Sequence, residues 1–286
     1  MLWAAVLASC AAPLSQALAD RPAAPRITII IDDLGYALAA GTRAVNLPGP
    51  VVCAVLPQTP RARRLAELAH ARGKEVLLHL PLQSVEDPVE DAEAAVEPGA
   101  LTLDMSRSRF ADTLAANVAA VPHVIGVNGH RGSLLTRHPG HMAWLMEELG
   151  ERGLLFIDSR TTHLSVALDM AREHGVPATR RDVFLDAARD VESIEREFRR
   201  LKTLARTHGS ALGIGHPYPA TLDFLERALP ELDRQGFALV GIRSLLEHQM
   251  SAAAGRDGRH ERPAAGDTTR GTDDYVKPTR SSAGTH

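Results

Sequence analysis

The chain has 286 residues, 44% of them hydrophobic and 23% charged, ordinary proportions for a globular protein and enough for one large domain. A formal net charge of -3 leaves no global basic field of the kind that holds nucleic acid or an anionic membrane surface, so no nucleic-acid partner is expected. With Cys10 and Cys53 as its only cysteines, the chain cannot build a thiolate zinc cage, and any metal has to be held by His, Asp or Glu.

Taken in chain order, residues 1–19 come first, apolar and without charge but too short and too interrupted by Pro13 to make a membrane-spanning helix. They read as a signal peptide. Ala17-Leu18-Ala19 fits the small-x-small cleavage pattern, while Leu7-Ala8-Ser9-Cys10 resembles a lipobox whose cysteine would carry a lipid anchor. Both routes predict export, with the periplasm as the destination. The apolar run lacks the Lys or Arg that usually precedes it, so a retained anchor or uncleaved leader is the competing reading. Residues 20–25 read as a linker and 26–250 as one domain. The tail, 251–286, has hardly an aliphatic residue and is expected to be disordered.

Within the domain, short apolar runs alternate with stretches of helical period. Residues 26–31 are β-branched and nearly continuous, as in a strand buried on both faces, and 51–56 and 75–80 repeat the pattern. Further strands are predicted at 123–127, 154–157, 183–185, 211–214 and 238–242. Helices are predicted at 61–71, ended by Gly73, at 106–119 with Ser106 as N-cap, and at 141–149, 165–174, 191–207 and 220–235. Strand and helix thus alternate seven or eight times. Such alternation implies an α/β fold of parallel strands with crossover helices, either a closed barrel or an open doubly wound sheet.

Polar residues stand at the carboxyl end of nearly every strand. Asp32 and Asp33 follow the first, His79 and Gln83 end the third, Asn128 and His130 the fourth, Asp158 and Arg160 the fifth, Asp186 the sixth and His216 the seventh. In parallel α/β folds these ends share one side, so residues more than 180 positions apart converge on one mouth. Each residue also has a plainer explanation. Asp32 and Asp33 could be a helix cap and its solvated neighbour, His79 a satisfied core histidine, Ser133 a turn cap, Arg160 a partner of an aspartate and His216 the end of a strand. Together those explanations need several independent coincidences, which favours a site.

The segments Ile30-Ile31-Asp32-Asp33-Leu34-Gly35, Leu78-His79-Leu80-Pro81-Leu82-Gln83, Gly126-Val127-Asn128-Gly129-His130-Arg131-Gly132-Ser133, Phe156-Ile157-Asp158-Ser159-Arg160-Thr161 and Gly213-Ile214-Gly215-His216-Pro217 resemble, in order, the motifs of the divergent polysaccharide deacetylase family. The resemblance spans roughly residues 26–248. It implies a distorted parallel β/α barrel and a metal-dependent hydrolase that removes acetyl groups from N-acetylated polysaccharides. By position, Asp32 resembles the general base, Asp33 the metal-binding aspartate, His79 the first metal histidine and His216 the general-acid histidine. One departure stands out. The second metal histidine of the ordinary deacetylases falls on Gln83, a poor zinc ligand, and His130 on the next strand is the obvious substitute. The implied triad is Asp33, His79 and His130 around a divalent ion such as zinc, with Asn128, Arg131, Ser133, Asp158 and Arg160 as substrate-binding residues. A non-catalytic barrel that holds glycan or a partner protein in the cell envelope is the alternative. A serine hydrolase is disfavoured because no G-x-S-x-G elbow occurs, and a nucleotide cofactor because no Walker or dinucleotide glycine pattern is present.

Overall fold

The computed structural model describes residues 24–87 and 97–260, with side chains through residue 254. The segments expected to be signal peptide and possible lipid anchor at Cys10, most of the linker, and the tail beyond residue 260 lie outside the described residues. Strands β1 (Arg26–Leu34), β2 (Val52–Val55), β3 (Val76–Leu82), β4 (Val124–Arg131), β5 (Leu155–Asp158), β6 (Ala178–Arg180), β7 (Val183–Phe184), β8 (Ser210–Gly215) and β9 (Ala238–Leu239) form a single sheet. Between and after them run α1 (Leu38–Val45), α2 (Ala62–Ala71), α3 (Arg107–Ala120), α4 (Pro139–Glu151), α5 (Ala167–Glu173), α6 (Val191–His208), α7 (Pro219–Ala228) and α8 (Ile242–His260). Every strand pairing is parallel, as crossover helices require.

The strand order is β6-β5-β4-β3-β2-β1-β8-β7, with β9 on the first two residues of β1. The ends of that path, β6 and β7, are separated by only Arg181 and Asp182. A two-residue gap cannot span a flat eight-strand sheet, so the sheet must curl until its edges nearly meet. The handover occurs at one peptide: Arg181 N–H donates to Asp158 O on β5 at 2.9 Å, and Asp182 N–H donates to Leu212 O on β8 at 2.9 Å. The result is the expected distorted barrel, joined at its seam by the chain rather than by a ladder.

Strand parity explains the nearly unbroken apolar runs. Ile27, Ile29 and Ile31 of β1 pack with the helices in the large outer core. Ile30 faces the other way and meets Val52, Ala54, Leu77, Leu155, Ile157, Leu212 and Ile214 inside the curl. Ile242, Leu245 and Leu246 of α8 join that inner cluster. The first turn of α8 is tied to β3's approach by Glu75, whose Oε1 accepts from Arg243 N at 3.3 Å. Ser106 caps α3 as predicted, accepting from Arg109 N at 3.3 Å.

Three expectations shift. The helix predicted over 220–235 ends at Ala228, because Pro230 supplies no N–H and its ring opposes a further α turn, leaving a short 3-10 segment at Leu229–Glu231. The last helix continues through 251–260, where a disordered tail is expected. Finally, α1, β6 and α8 have no counterpart among the predicted elements. In α1, Gly41 lets Leu65 of α2 approach where a Cβ would stand 2.5 Å from its Cδ1.

Candidate active site

Residues two apart on a strand share a face, so the inner apolar layer continues upward into a polar one. Ile30 is followed by Asp32, Leu77 by His79, Ile157 by Ser159 and Ile214 by His216, while Asn128 pairs in register with His79. Asp33 would point outward on a regular strand. Instead the register of β1 against β2 shifts between Ile31 and Leu34, and Asp33 takes a φ of 57°. This bulge turns two adjacent carboxylates toward the same mouth. Gly35 completes the turn at a φ of 141°, where a Cβ would collide with Thr59.

The centre is tight. Asp33 Oδ1 lies 3.3 Å from His79 Nε2 and 3.1 Å from His130 Nδ1, and those two nitrogens are 3.1 Å apart. One ligand atom from each of the three residues falls within 4.8 Å of the others. Asp33 Oδ1 is buried yet has no hydrogen bond among the described residues. An orphaned buried carboxylate oxygen facing two imidazole nitrogens is a donor set that suits a divalent ion such as zinc. Burial works to raise the Asp33 pKa, but His130 and His79 outweigh it and hold the carboxyl well below its usual range.

The outer partners settle which imidazole nitrogens are available. Asn128, fully buried, donates from Nδ2 to Asp32 Oδ1 at 2.8 Å. A carboxylate only accepts, so the amide oxygen must face His79 Nδ1, which it does at 3.1 Å. His79 therefore carries its proton on Nδ1 and presents a lone pair from Nε2. On His130, Nε2 donates to Glu97 Oε2 at 2.9 Å, freeing Nδ1 for the centre. Without a bound cation His130 stands between two carboxylates. Burial opposes its charge, but Asp33 and Glu97 raise its pKa to about 9. Glu97 in turn is lowered chiefly by its bond to His130, and its Oε1 accepts from Tyr36 at 3.3 Å.

On the other side of Asp33, His216 Nε2 lies 3.8 Å from Asp33 Oδ2. Its Nδ1 is 2.9 Å from Asp186 Oδ1, while Asp186 Oδ2 accepts from His216 N and the Thr221 hydroxyl, both at 2.7 Å. Burial opposes the imidazolium, but Asp186 pushes the His216 pKa upward. Asp32 is raised by burial, against the lowering effects of His79, His216 and Asn128.

Of the sequence-predicted residues, Asp32, Asp33, His79, Asn128, His130 and His216 thus meet in one constellation. The other four stand apart from it. The Arg131 guanidinium is held by Asp87 at 2.6 Å, and Ser133 Oγ accepts from Val85 N at 3.1 Å, so both brace neighbouring loops. Asp158 has the outward parity of Phe156. Its carboxylate accepts from Arg160 N at 2.8 Å and Ser165 Oγ at 2.9 Å, which organises the turn after β5 rather than the inner ring. Arg160, at a φ of 48°, projects from that turn into a groove beside the mouth. Gln83 is turned away, its Oε1 accepting from Leu103 N at 2.9 Å. Sequence reasoning missed Glu97, which lies between β3 and α3, and Arg181, whose Nε and Nη2 donate to Ser159 O at 2.6 Å and Arg160 O at 2.9 Å.

Comparison with known proteins shows the family. Residues 29–246 match the family described as divergent polysaccharide deacetylase. An uncharacterized protein of Haemophilus influenzae is 35% identical over 224 residues, 78% of each chain. The uncharacterized protein YibQ of Escherichia coli is 34% identical over 230 residues, 80% of this chain and 70% of that one. The crystal structure of an uncharacterized Agrobacterium tumefaciens protein superposes with a TM-score of 0.74 at 24% identity, covering 78% of this chain and 90% of the other, a likeness of fold.

Proposed function

The chain belongs to the divergent polysaccharide deacetylase family, and from that premise we propose that it is an exported, metal-dependent hydrolase of N-acetyl groups on a polysaccharide. The observation that carries this reading is the buried Asp33 Oδ1, without a hydrogen bond among the described residues, facing His79 Nε2 and His130 Nδ1. A divalent ion such as zinc held by these three residues would supply the Lewis acidity that polarises an acetamido carbonyl and acidifies water.

The remaining steps fall to the chain's own groups. Asp32, anchored through Oδ1 by Asn128, keeps Oδ2 to take a proton from the attacking water. Its upward-shifted pKa makes it a stronger base than an ordinary aspartate. His216, fixed through Nδ1 by Asp186, aims Nε2 at the mouth and gives its proton to the departing amine nitrogen. Asn128 joins the two halves, since one amide orients both the base and a metal-binding imidazole.

Metal analysis of the purified protein tests the reading directly. The parent should hold close to one divalent ion per chain, and His79→Ala and His130→Ala should each lose it. Asp32→Asn should keep the ion while acetate release from N-acetylated oligosaccharides falls at least about 100-fold. A parent that binds no divalent ion at any tested concentration would transfer the preference to a non-catalytic glycan-binding barrel.

A further inference from the structure

Beside the mouth, and sharing no side chain with the constellation around Asp33, lies a groove of about 440 Å³. Its walls are built from the turn after β5, the seam between β6 and β7, and the start of α6. Four arginines line it, Arg160, Arg181, Arg196 and Arg200, against two carboxylates, Asp182 and Glu197, which leaves a formal charge of +2 in a chain whose net charge is negative.

Among the described residues neither carboxylate forms an ion pair with Arg160 or Arg181. Asp182 Oδ2 is taken by Leu212 N at 2.8 Å, and Glu197 pairs with Arg200 at 3.3 Å and Arg196 at 3.7 Å. Among the described residues the hydrogen bonds of Arg181 go to backbone carbonyls, which fix its plane; no carboxylate pairs with it directly, and Asp32 and Asp158 act on it only at longer range. Arg160 is exposed, and among the described residues its guanidinium has no hydrogen bond or ion pair. Its left-handed φ is unusual for a long side chain and aims it off the turn. A concave site with more guanidinium groups than carboxylates on its walls favours an anion, and the planar fork of an arginine without a directly bonded carboxylate suits one.

The groove is also linked to the proton donor. Arg181 lies over the Phe184 ring at 4.8 Å from its centroid, and that ring is 5.2 Å from the His216 ring. We infer that this groove is a subsite for a carboxylate carried by the sugar next to the one whose acetamido group meets His216, so that the substrate is an acidic N-acetylated glycan. The inference rests on the deacetylase reading for the position of the acetamido sugar, but its test does not depend on turnover.

Calorimetric titration of the full chain with two tetrasaccharides separates the possibilities. A hyaluronan tetrasaccharide alternates N-acetylglucosamine with glucuronate, whereas chitotetraose carries the same acetamido groups and no carboxylate. The acidic ligand should bind roughly tenfold more tightly at low salt, the strength of one charge-assisted contact. That ratio should shrink with added NaCl and approach one in Arg160→Gln and in the exposed helix variant Arg200→Gln. Equal affinities in the parent, a preference that both variants retain, or no binding of the acidic ligand would each overturn the subsite. Tight binding of the acidic ligand without acetate release would instead count against the deacetylase reading and leave the subsite standing.

Discussion

Glu97 shows how the site depends on residues that touch no substrate. It accepts from His130 Nε2, and that bond decides which nitrogen His130 offers to the centre. Removing it in Glu97→Ala should weaken metal binding by about 10- to 100-fold, read by competition with a chromogenic chelator, while the fold persists. Unchanged affinity would show that His130 does not need this orientation. Five of the six converging residues were legible because each follows an apolar strand run at the right parity, as Asp32 follows Ile30 and His79 follows Leu77. Asp33 was legible by its neighbour, although the bulge that turns it inward has no marker except Gly35. Glu97 was not, because a loop residue contributes through tertiary contact alone. Arg131 and Ser133 sit in the same motif as His130, yet Asp87 and Val85 claim their polar groups. A motif conveys proximity in sequence, whereas the direction of a side chain is set by its partners.

At the level of the elements, periodicity identified most strands and helices but missed α1, β6 and α8. Continuous apolar strands β1, β2, β3 and β8 are buried on both faces, which makes them stand out from any helix. By contrast β6 is Ala-Thr-Arg, three residues that carry no pattern, and it exists because β5 offers an edge to pair with. Helix starts were readable where a side chain supplies the cap. Ser106 accepts from Arg109 N, so Ser106→Ala should cost about 1 kcal/mol in urea unfolding, and Ser106→Asp should restore most of it. An alanine variant as stable as the parent would mean that water caps α3 equally well. The stop of α7 at Pro230 follows from the same local chemistry, and there the expected helix over 220–235 gave that proline too little weight.

For the whole molecule, the decisive feature is how the curl is held shut. No ladder joins β6 to β7, so the seam depends on the Arg181–Asp182 peptide and on side chains that cross it. Arg181 is the principal one, donating to the carbonyls of Ser159 and Arg160 on the β5 side while lying over Phe184 on the β8 side. Replacing it in Arg181→Leu keeps much of the apolar contact but leaves two carbonyls without donors, and should cost about 2 kcal/mol. The urea midpoint should fall with little change in slope, as expected for lost stability in a single cooperative unit. Because Ser159 Oγ also accepts from Asn128 at 3.4 Å, loosening the seam should reach the site as well. Metal affinity in Arg181→Leu should therefore drop even though no ligand is altered, whereas Arg200→Gln, on the outer wall of the same groove, should leave it unchanged. If Arg181→Leu unfolds at the parent's midpoint, the seam is held by the backbone handover alone, and the connection between closure of the barrel and order at its mouth is lost.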